Sequence, residues 1–347
     1  MPGRGAALTL ATSGNETARL SLCKFDVMDD AASLQNVLDE TVSGLVRAGA
    51  PGALALAVGP WGVCCRVAGI DSSGGALRST ALIEVASVTK TFVAALVLSL
   101  FQDGLLELDY PAAMYLPGLL RGDARITLRS LLNHTSGLPD YFEDAAFLAE
   151  WQEHPAHEWT AHELVEIAAG LPRHESGLFS YANVNYVLVA LIIESVTGRT
   201  VADVLQARIL EPLALDATQL PVTATAATGG LTSTADDLSR FLAALMRGEV
   251  VNESSRREML TTVPSDWPES QGYGLGIERV ESLMGADSPC GAAWGHTGLG
   301  MATTVALTSQ DAARQVVLTA GAMLTSEVAW AILGRATWSV LCPATRT

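Results

Sequence analysis

The sequence predicts an α+β fold: a sheet assembled from both ends of the chain, flanked by N- and C-terminal helices, with a mostly helical domain inserted between its halves. Strand-like segments occur at residues 53–85 and again at 273–320, and the signals between them are mainly of helical period. Amphipathic helical patterns stand at either end, over residues 30–47 and 326–340. The chain of 347 residues, 49% hydrophobic and 17% charged, is globular in composition and long enough for a sizeable core.

Taken in order, residues 1–28 read as a loose tail. Over 30–47, Leu34, Val37, Leu38, Val42, Leu45 and Val46 share one helix face, with Asp29 or Asp30 as cap and the stretch from Gly49 to Gly52 as terminator. Residues 53–58 and 62–68 predict two strands joined through Gly59-Pro60-Trp61, and Gly74-Gly75 marks a further turn. The apolar run 81–85 leads into a helix over 91–101. Residues 127–133 predict a short helix ending at His134-Thr135-Ser136-Gly137-Leu138-Pro139. Another helix follows Asn183 and stops at Gly198. A third starts at Thr234, with Asp237 three residues on in a capping-box variant, faces inward through Leu238, Phe241, Leu242 and Leu245, and closes at Gly248. Strands are expected at 273–280, 301–307 and 315–320, with a turn at Ser309-Gln310-Asp311, before a last helix with Val328, Ile332, Leu333 and Ala336 inward. The resulting division is residues 29–85 plus 270–347 for the sheet-bearing part and 86–269 for the helical insertion.

The formal charge of −16 disfavours nucleic acid and anionic membrane as partners, both being negative themselves. No stretch reaches the roughly 18 apolar residues of a membrane helix, and the N-terminus lacks the apolar core of a secretory signal, so a cytoplasmic protein is expected. Five cysteines (Cys23, Cys64, Cys65, Cys290 and Cys342) form no CxxC pair, and buried free thiols are the expectation.

The chemistry centres on Ser87-Val88-Thr89-Lys90 at a helix start. Side chains at i and i+3 share a helix face about 5–6 Å apart at Cβ, so a lysine there can take the serine's proton or hold a neighbouring base ionised. Of 21 basic residues only Lys24 and Lys90 are lysine. Arginine cannot release its proton at usable pH and lysine can, so position 90 calls for something arginine cannot do. Two further stretches belong with these: Tyr181-Ala182-Asn183 just before a helix, and His296-Thr297-Gly298 at the entry to the strand expected over 301–307.

Serine with lysine, Tyr-x-Asn and a basic-Thr-Gly segment, in this order, resemble the serine β-lactamase and penicillin-binding protein superfamily. Tyr-x-Asn in second place points to its class C branch, with D-Ala-D-Ala carboxypeptidase, D-aminopeptidase and esterase relatives. Leu131-Leu132-Asn133-His134-Thr135-Ser136-Gly137-Leu138-Pro139 is close to the family's L-L-x-H-T-S-G-L-P, and Gly230-Leu231-Thr232-Ser233-Thr234-Ala235-Asp236-Asp237-Leu238 resembles its G-L-x-S-T-A-x-D-L. The resemblance runs from about residue 33 to the C-terminus and implies an antiparallel sheet with the site between sheet and helical insertion.

What it implies for roles is Ser87 as nucleophile, Tyr181 as general base, and Lys90 coupled to Tyr181 as one unit. A free tyrosine is about one part in a thousand phenolate at pH 7, a gap of about 4 kcal/mol. An ammonium at about 4 Å in an effective dielectric of 20 supplies about that much. Asn183 would touch lysine and substrate, His296, Thr297 and Gly298 would bind substrate, and the backbone N–H groups of Ser87 and Leu299 would form the oxyanion hole. His296 departs from the lysine of class C β-lactamases and makes the site less permanently cationic, which weakens a reading as an efficient β-lactamase.

The expected activity is serine-dependent acyl transfer through acyl-Ser87, most simply an intracellular esterase or amidase acting on a small-molecule ester, amide or lactam. A biosynthetic transacylase using an amine or alcohol acceptor, and a non-catalytic binding protein on the same fold, are the alternatives. No cofactor or metal is expected: His157 and His162 stand at i, i+5, where two rings on a helix diverge, which leaves a metal at His154, His157 and His162 disfavoured. His134 and Ser136 read as structural. Trp151 and Trp159 line the cleft or fill the helical part. Oligomeric state is open.

Overall fold

The computed structural model describes residues 31–120, 124–154, 157–267, 270–283 and 285–342. The tail expected over 1–28, with Cys23 and Lys24, lies outside them. The strands are β1 (Gly52–Gly59), β2 (Gly62–Gly69), β3 (Ile83–Glu84), β4 (Thr232–Ser233), β5 (Val263–Pro264), β6 (Gly272–Tyr273), β7 (Glu278–Val280), β8 (Ser282–Leu283), β9 (Ala286–Asp287), β10 (Ala293–Leu299), β11 (Thr303–Ser309) and β12 (Gln315–Ala320). Eight of them form one sheet in the order β2-β1-β12-β11-β10-β7-β6-β5, antiparallel at every pairing. The strand next to β1 is therefore β12, from the far end of the chain, with Ala53 opposite Ala320 and Val58 opposite Gln315.

Helix α1 (Ala31–Arg47) precedes the sheet. Next come α2 (Thr89–Gln102), α3 (Leu128–Leu132), α4 (Ala145–Glu153), α5 (Ala161–Gly170), α6 (Val184–Thr197), α7 (Val201–Leu205), α8 (Ala226–Gly229), α9 (Ala235–Arg247) and α10 (Glu253–Leu260), and α11 (Glu327–Leu341) follows the last strand. The predicted stops hold where left-handed backbone is needed: Gly198 and Gly248 end α6 and α9 at φ 66° and 77°. Thr234 caps α9 by accepting the Asp237 N–H.

Period-two alternation splits each central strand between two cores. Leu54, Leu56, Ala306 and Val317 face the helices of the chain's middle. Ala53, Ala55, Ala57, Val305, Leu307, Val316 and Leu318 face α1 and α11, where they meet Leu34, Leu38, Val42, Leu45 and Leu333. A sheet buried on both faces explains why its strands read as nearly continuous apolar runs.

The structure corrects four expectations. Residues 273–280 are not one strand but a hairpin, β6 and β7, with Tyr273 opposite Glu278; Gly276, at φ 68°, sits in the turn. His296-Thr297-Gly298 lies inside its own strand, β10, because a turn closed by Gly300 N–H donating to the Ala302 carbonyl separates it from β11. The inward face of α11 keeps Leu333 and Ala336 but takes Ala329 and Trp330 in place of Val328, which is 67% exposed. Finally, Cys290 and Cys342 are joined in a disulfide rather than standing as free thiols, whereas Cys64 is free and buried and Cys65 free and half-buried. This pairing withdraws the cysteine argument for a reducing compartment, since disulfides persist mainly in oxidising ones. No helix among the described residues is long and apolar enough to cross a membrane.

Candidate active site

Ser87 sits in a 3₁₀ turn, Ala86–Val88, that runs directly into α2. Ala86 before it has φ 47°, a left-handed conformation that costs a residue with a Cβ about 1–3 kcal/mol and persists only where the surroundings enforce it. Those surroundings are visible. The Thr89 hydroxyl donates to the Ala86 carbonyl at 2.7 Å and accepts the Leu231 N–H at 3.1 Å. The end of β10 presses on the same turn: a Cβ on Gly298 would stand 2.3 Å from the Val85 carbonyl oxygen. The turn is thus clamped between the 228–231 segment and β10.

Two predicted side chains converge on the Ser87 hydroxyl, and a third, Asn183, holds one of them. Tyr181 Oη donates to Ser87 Oγ at 2.9 Å and Lys90 Nζ at 3.2 Å. Lys90 also donates to Asn183 Oδ1 at 2.9 Å and to the Thr228 carbonyl at 2.5 Å. Its three ammonium protons therefore have three acceptors, which makes a fully buried lysine tolerable. Its ammonium also lies 4.9 Å from the Tyr181 ring centre.

The loop after α3 holds the Tyr-x-Asn segment in place. The His134 carbonyl accepts the Ser180 N–H at 2.8 Å. Its Nδ1 accepts the Ala182 N–H at 3.2 Å and lies 3.0 Å from Asn185 Nδ2. Its ring lies 4.1 Å from that of Tyr181, and Trp267 covers Tyr181 at 4.3 Å between centres. Burial pushes the His134 imidazole well below its ordinary pKa of 6.5, and the charges of Lys90 and His296 push it further. The ring is neutral at working pH, and Nδ1, as acceptor, leaves the proton on Nε2.

Asp140, from the same loop, accepts both the Asn183 N–H at 2.9 Å and its side-chain N–H at 2.8 Å. That fixes the Asn183 amide so that its oxygen faces Lys90. Burial raises the Asp140 carboxyl above the ordinary range, against the hydrogen bonds from Asn183 and Phe142 and the charge of Lys90.

The third predicted stretch is more enclosed. His296 is fully buried and Thr297 nearly so. His296 Nδ1 lies 3.1 Å from Glu278 Oε1, and Nε2 lies 2.8 Å from Tyr273 Oη. The Thr297 hydroxyl donates to both Glu278 oxygens, at 2.9 and 3.1 Å. Leu299 is the last residue of β10, opposite Thr303. Gly298 and Leu299 are thus brought to the Ser87 turn by the strand, while His296 and Thr297 meet a carboxylate that the sequence reading passed over.

The structure also places the residues set aside. Ser136 donates to Asn185 Oδ1 at 2.7 Å, a structural role, whereas His134 both shapes the loop and braces Tyr181. Trp151 and Trp159 pack on Phe142 and Phe147, at 5.6 and 4.8 Å between centres, inside the helical part. His154 pairs with Glu150 at 3.0 Å, and His157 rests on Trp159 at 4.4 Å. Asp140, Thr228, Trp267 and Glu278 were missed. The one available signal was Asp140, which directly follows the quoted run ending at Pro139.

Comparison with known proteins agrees with this geometry: the Beta-lactamase family model matches residues 38–333. The chain belongs to the Beta-lactamase family. Among curated proteins it is similar to penicillin-binding protein 4* of Bacillus subtilis (strain 168), 34% identical over 151 residues covering 42% of this chain and 32% of that protein. It is also similar to a D-aminopeptidase of Brucella ovis, 31% identical over 138 residues covering 40% of this chain and 26% of that protein. The matched region thus spans about a third or less of these relatives' own length. Among solved structures, a D-stereospecific amidohydrolase from Streptomyces sp. superposes with TM-score 0.73 at 31% identity, over 85% of this chain and 95% of that one. The D-amino acid amidase from Ochrobactrum anthropi SV3 shares the fold, with TM-score 0.75 at 23% identity, over 88% of this chain and 97% of that one.

Proposed function

We propose that this Beta-lactamase-family protein is a serine-dependent amidase of the class C-like branch, acting on small amino-acid amides or short peptides through an acyl-Ser87 intermediate. The site lies between a sheet-bearing lobe, residues 29–85 plus 270–347, and a helical lobe, residues 86–269. The observation that carries the reading is the shared hydroxyl: Ser87 Oγ is held at 2.9 Å by Tyr181 Oη and at 3.2 Å by Lys90 Nζ.

In this mechanism Ser87 Oγ attacks the substrate carbonyl as its proton passes to the Tyr181–Lys90 unit. The Lys90 ammonium favours the phenolate form of Tyr181, and Asn183, held by Asp140, keeps Lys90 aimed at the hydroxyl. The backbone N–H groups of Ser87 and Leu299 take the developing oxyanion; losing one such donor typically costs about 10²–10³ in rate. Collapse expels the amine, which leaves with the proton returned from Tyr181. Water then adds to the acyl-enzyme, gives its proton to the same unit, and releases the acid and Ser87. His296, Thr297 and Gly298 support the acyl-donor site from within β10, where they are buried.

The names of the D-aminopeptidase and the D-stereospecific amidohydrolase support an amide of a D-amino acid as donor. Ammonia release from D- and L-phenylalanine amide tests the reading, with turnover of the D form expected to exceed that of the L form. A folded enzyme that cleaves no amide or ester overturns it. Adding an amine acceptor separates the two fates of the acyl group: free acid as sole product supports hydrolysis, and an acylated amine supports the transacylase alternative.

A further inference from the structure

We propose that Glu278 is a positioning and selectivity residue: by gripping His296 and Thr297 together it keeps the His296 proton on Nδ1, cancels any positive charge on the ring, and makes the site favour uncharged acyl donors over carboxylate-bearing ones. The selectivity half rests on the acyl-transfer reading above; the positioning half does not.

Glu278 is wholly inaccessible, as is His296, and an isolated buried carboxylate is too costly to persist. Two of its partners, His296 and Thr297, stand on the neighbouring strand β10. Oε1 meets His296 Nδ1 at 3.1 Å and the Thr297 hydroxyl at 2.9 Å, and Oε2 meets that hydroxyl at 3.1 Å. The placement is made by β7, where Glu278 lies opposite Gly295, the residue before His296.

Two acceptors surround Nδ1, Glu278 Oε1 and the Thr297 carbonyl at 2.5 Å. Nδ1 therefore carries a proton, and a neutral ring must accept at Nε2. Tyr273 Oη stands there at 2.8 Å, and burial raises the Tyr273 hydroxyl well above its ordinary pKa, so it remains a donor. The tautomer is set from both sides. The His134 imidazole senses the charge of this ring.

The charge pattern then follows. Lys90 is answered by Asp140 through Asn183, and His296 is answered by Glu278. Lys90 and His296 thus each have a carboxylate close by, which disfavours a donor's carboxylate there and leaves a donor with an amide or ester in that place unaffected. Removing the Glu278 charge takes one buried negative charge away from beside the strand, so a carboxylate-bearing donor is repelled less.

Two measurements test this. First, ¹⁵N spectra of the His296 ring in the full chain are expected to show the Nδ1–H form in the wild type and a redistributed proton in Glu278→Ala; identical spectra overturn the positioning role. This readout needs no turnover, so it stands even if the enzyme hydrolyses nothing. Second, kcat/KM is compared for N-acetyl-D-alanyl-D-alanine and its C-terminal amide. The amide is expected to be preferred by the wild type, and Glu278→Gln, which keeps the size of the side chain and removes its charge, is expected to cut that preference at least tenfold. An equal loss on both donors would mean that Glu278 is only structural and overturns the selectivity role.

Discussion

The two cores on either side of the sheet are built differently. The one toward α1 and α11 is apolar, with Leu34, Leu38, Leu45 and Leu333 against alternate residues of the strands, and the Cys290–Cys342 disulfide ties the end of α11 to the loop before β10. The one toward the middle of the chain encloses charge: Lys90, Asp140, His134 and Asn185 are buried there and joined by hydrogen bonds between residues as far apart in sequence as Lys90 and Thr228. Burying polar groups gains little net stability. The difference therefore separates a face that holds the fold from a face that spends stability on holding a hydroxyl, an amine and a phenol together.

That separation can be broken by experiment. Lys90→Met should lower kcat/KM by about 10³ or more, in the upper range for loss of a proton-transfer group, while changing the denaturation midpoint little, since a buried charge is exchanged for an apolar chain of similar size. A loss of stability as large as the loss of rate would erase the distinction. Leu38→Ala is the converse. It empties a fully buried site in the apolar core and should cost about 2–5 kcal/mol in urea unfolding, with kcat/KM per folded molecule unchanged. A changed kcat/KM would mean that the two cores are mechanically coupled.

The smallest effect sharpens the comparison through pH. His134 is buried neutral, its pKa depressed below the ordinary 6.5. As pH falls below about 6.5 the unfolded chain binds a proton that the folded chain refuses, so stability declines, by at most about 1.4 kcal/mol per pH unit for this one group. His134→Asn should flatten that part of the unfolding profile; a slope identical to wild type would place its origin elsewhere.

Much of this was legible in the sequence. Ser87 and Lys90 were readable from their spacing at a helix start, where the local chain sets geometry within a few residues, and Tyr181 and Asn183 through the motif resemblance. Both terminal helices and the central strands were readable from periodicity. What stayed hidden acts across the chain. Asp140 reaches Asn183 over 43 residues, and the Thr228 contribution is a carbonyl oxygen, which any residue at that position would carry. Glu278 looked like one acidic residue in a glycine-rich strand because the hairpin that turns it under His296 depends on Gly276, whose left-handed backbone was taken for part of an extended run. The Cys290–Cys342 pairing, 52 residues apart, has no spacing signature at all.

The central claim is that one hydroxyl, activated by Lys90 and Tyr181, carries the acyl group. Peptide mapping by mass spectrometry after treatment with a fluorophosphonate probe tests it most directly. The account predicts a single adduct on the peptide holding Ser87, formed rapidly by the wild type and slowly by Lys90→Met and Tyr181→Phe. An enzyme that turns over substrate with Ser87 unmodified, or one labelled as fast without Lys90 and Tyr181, would contradict it.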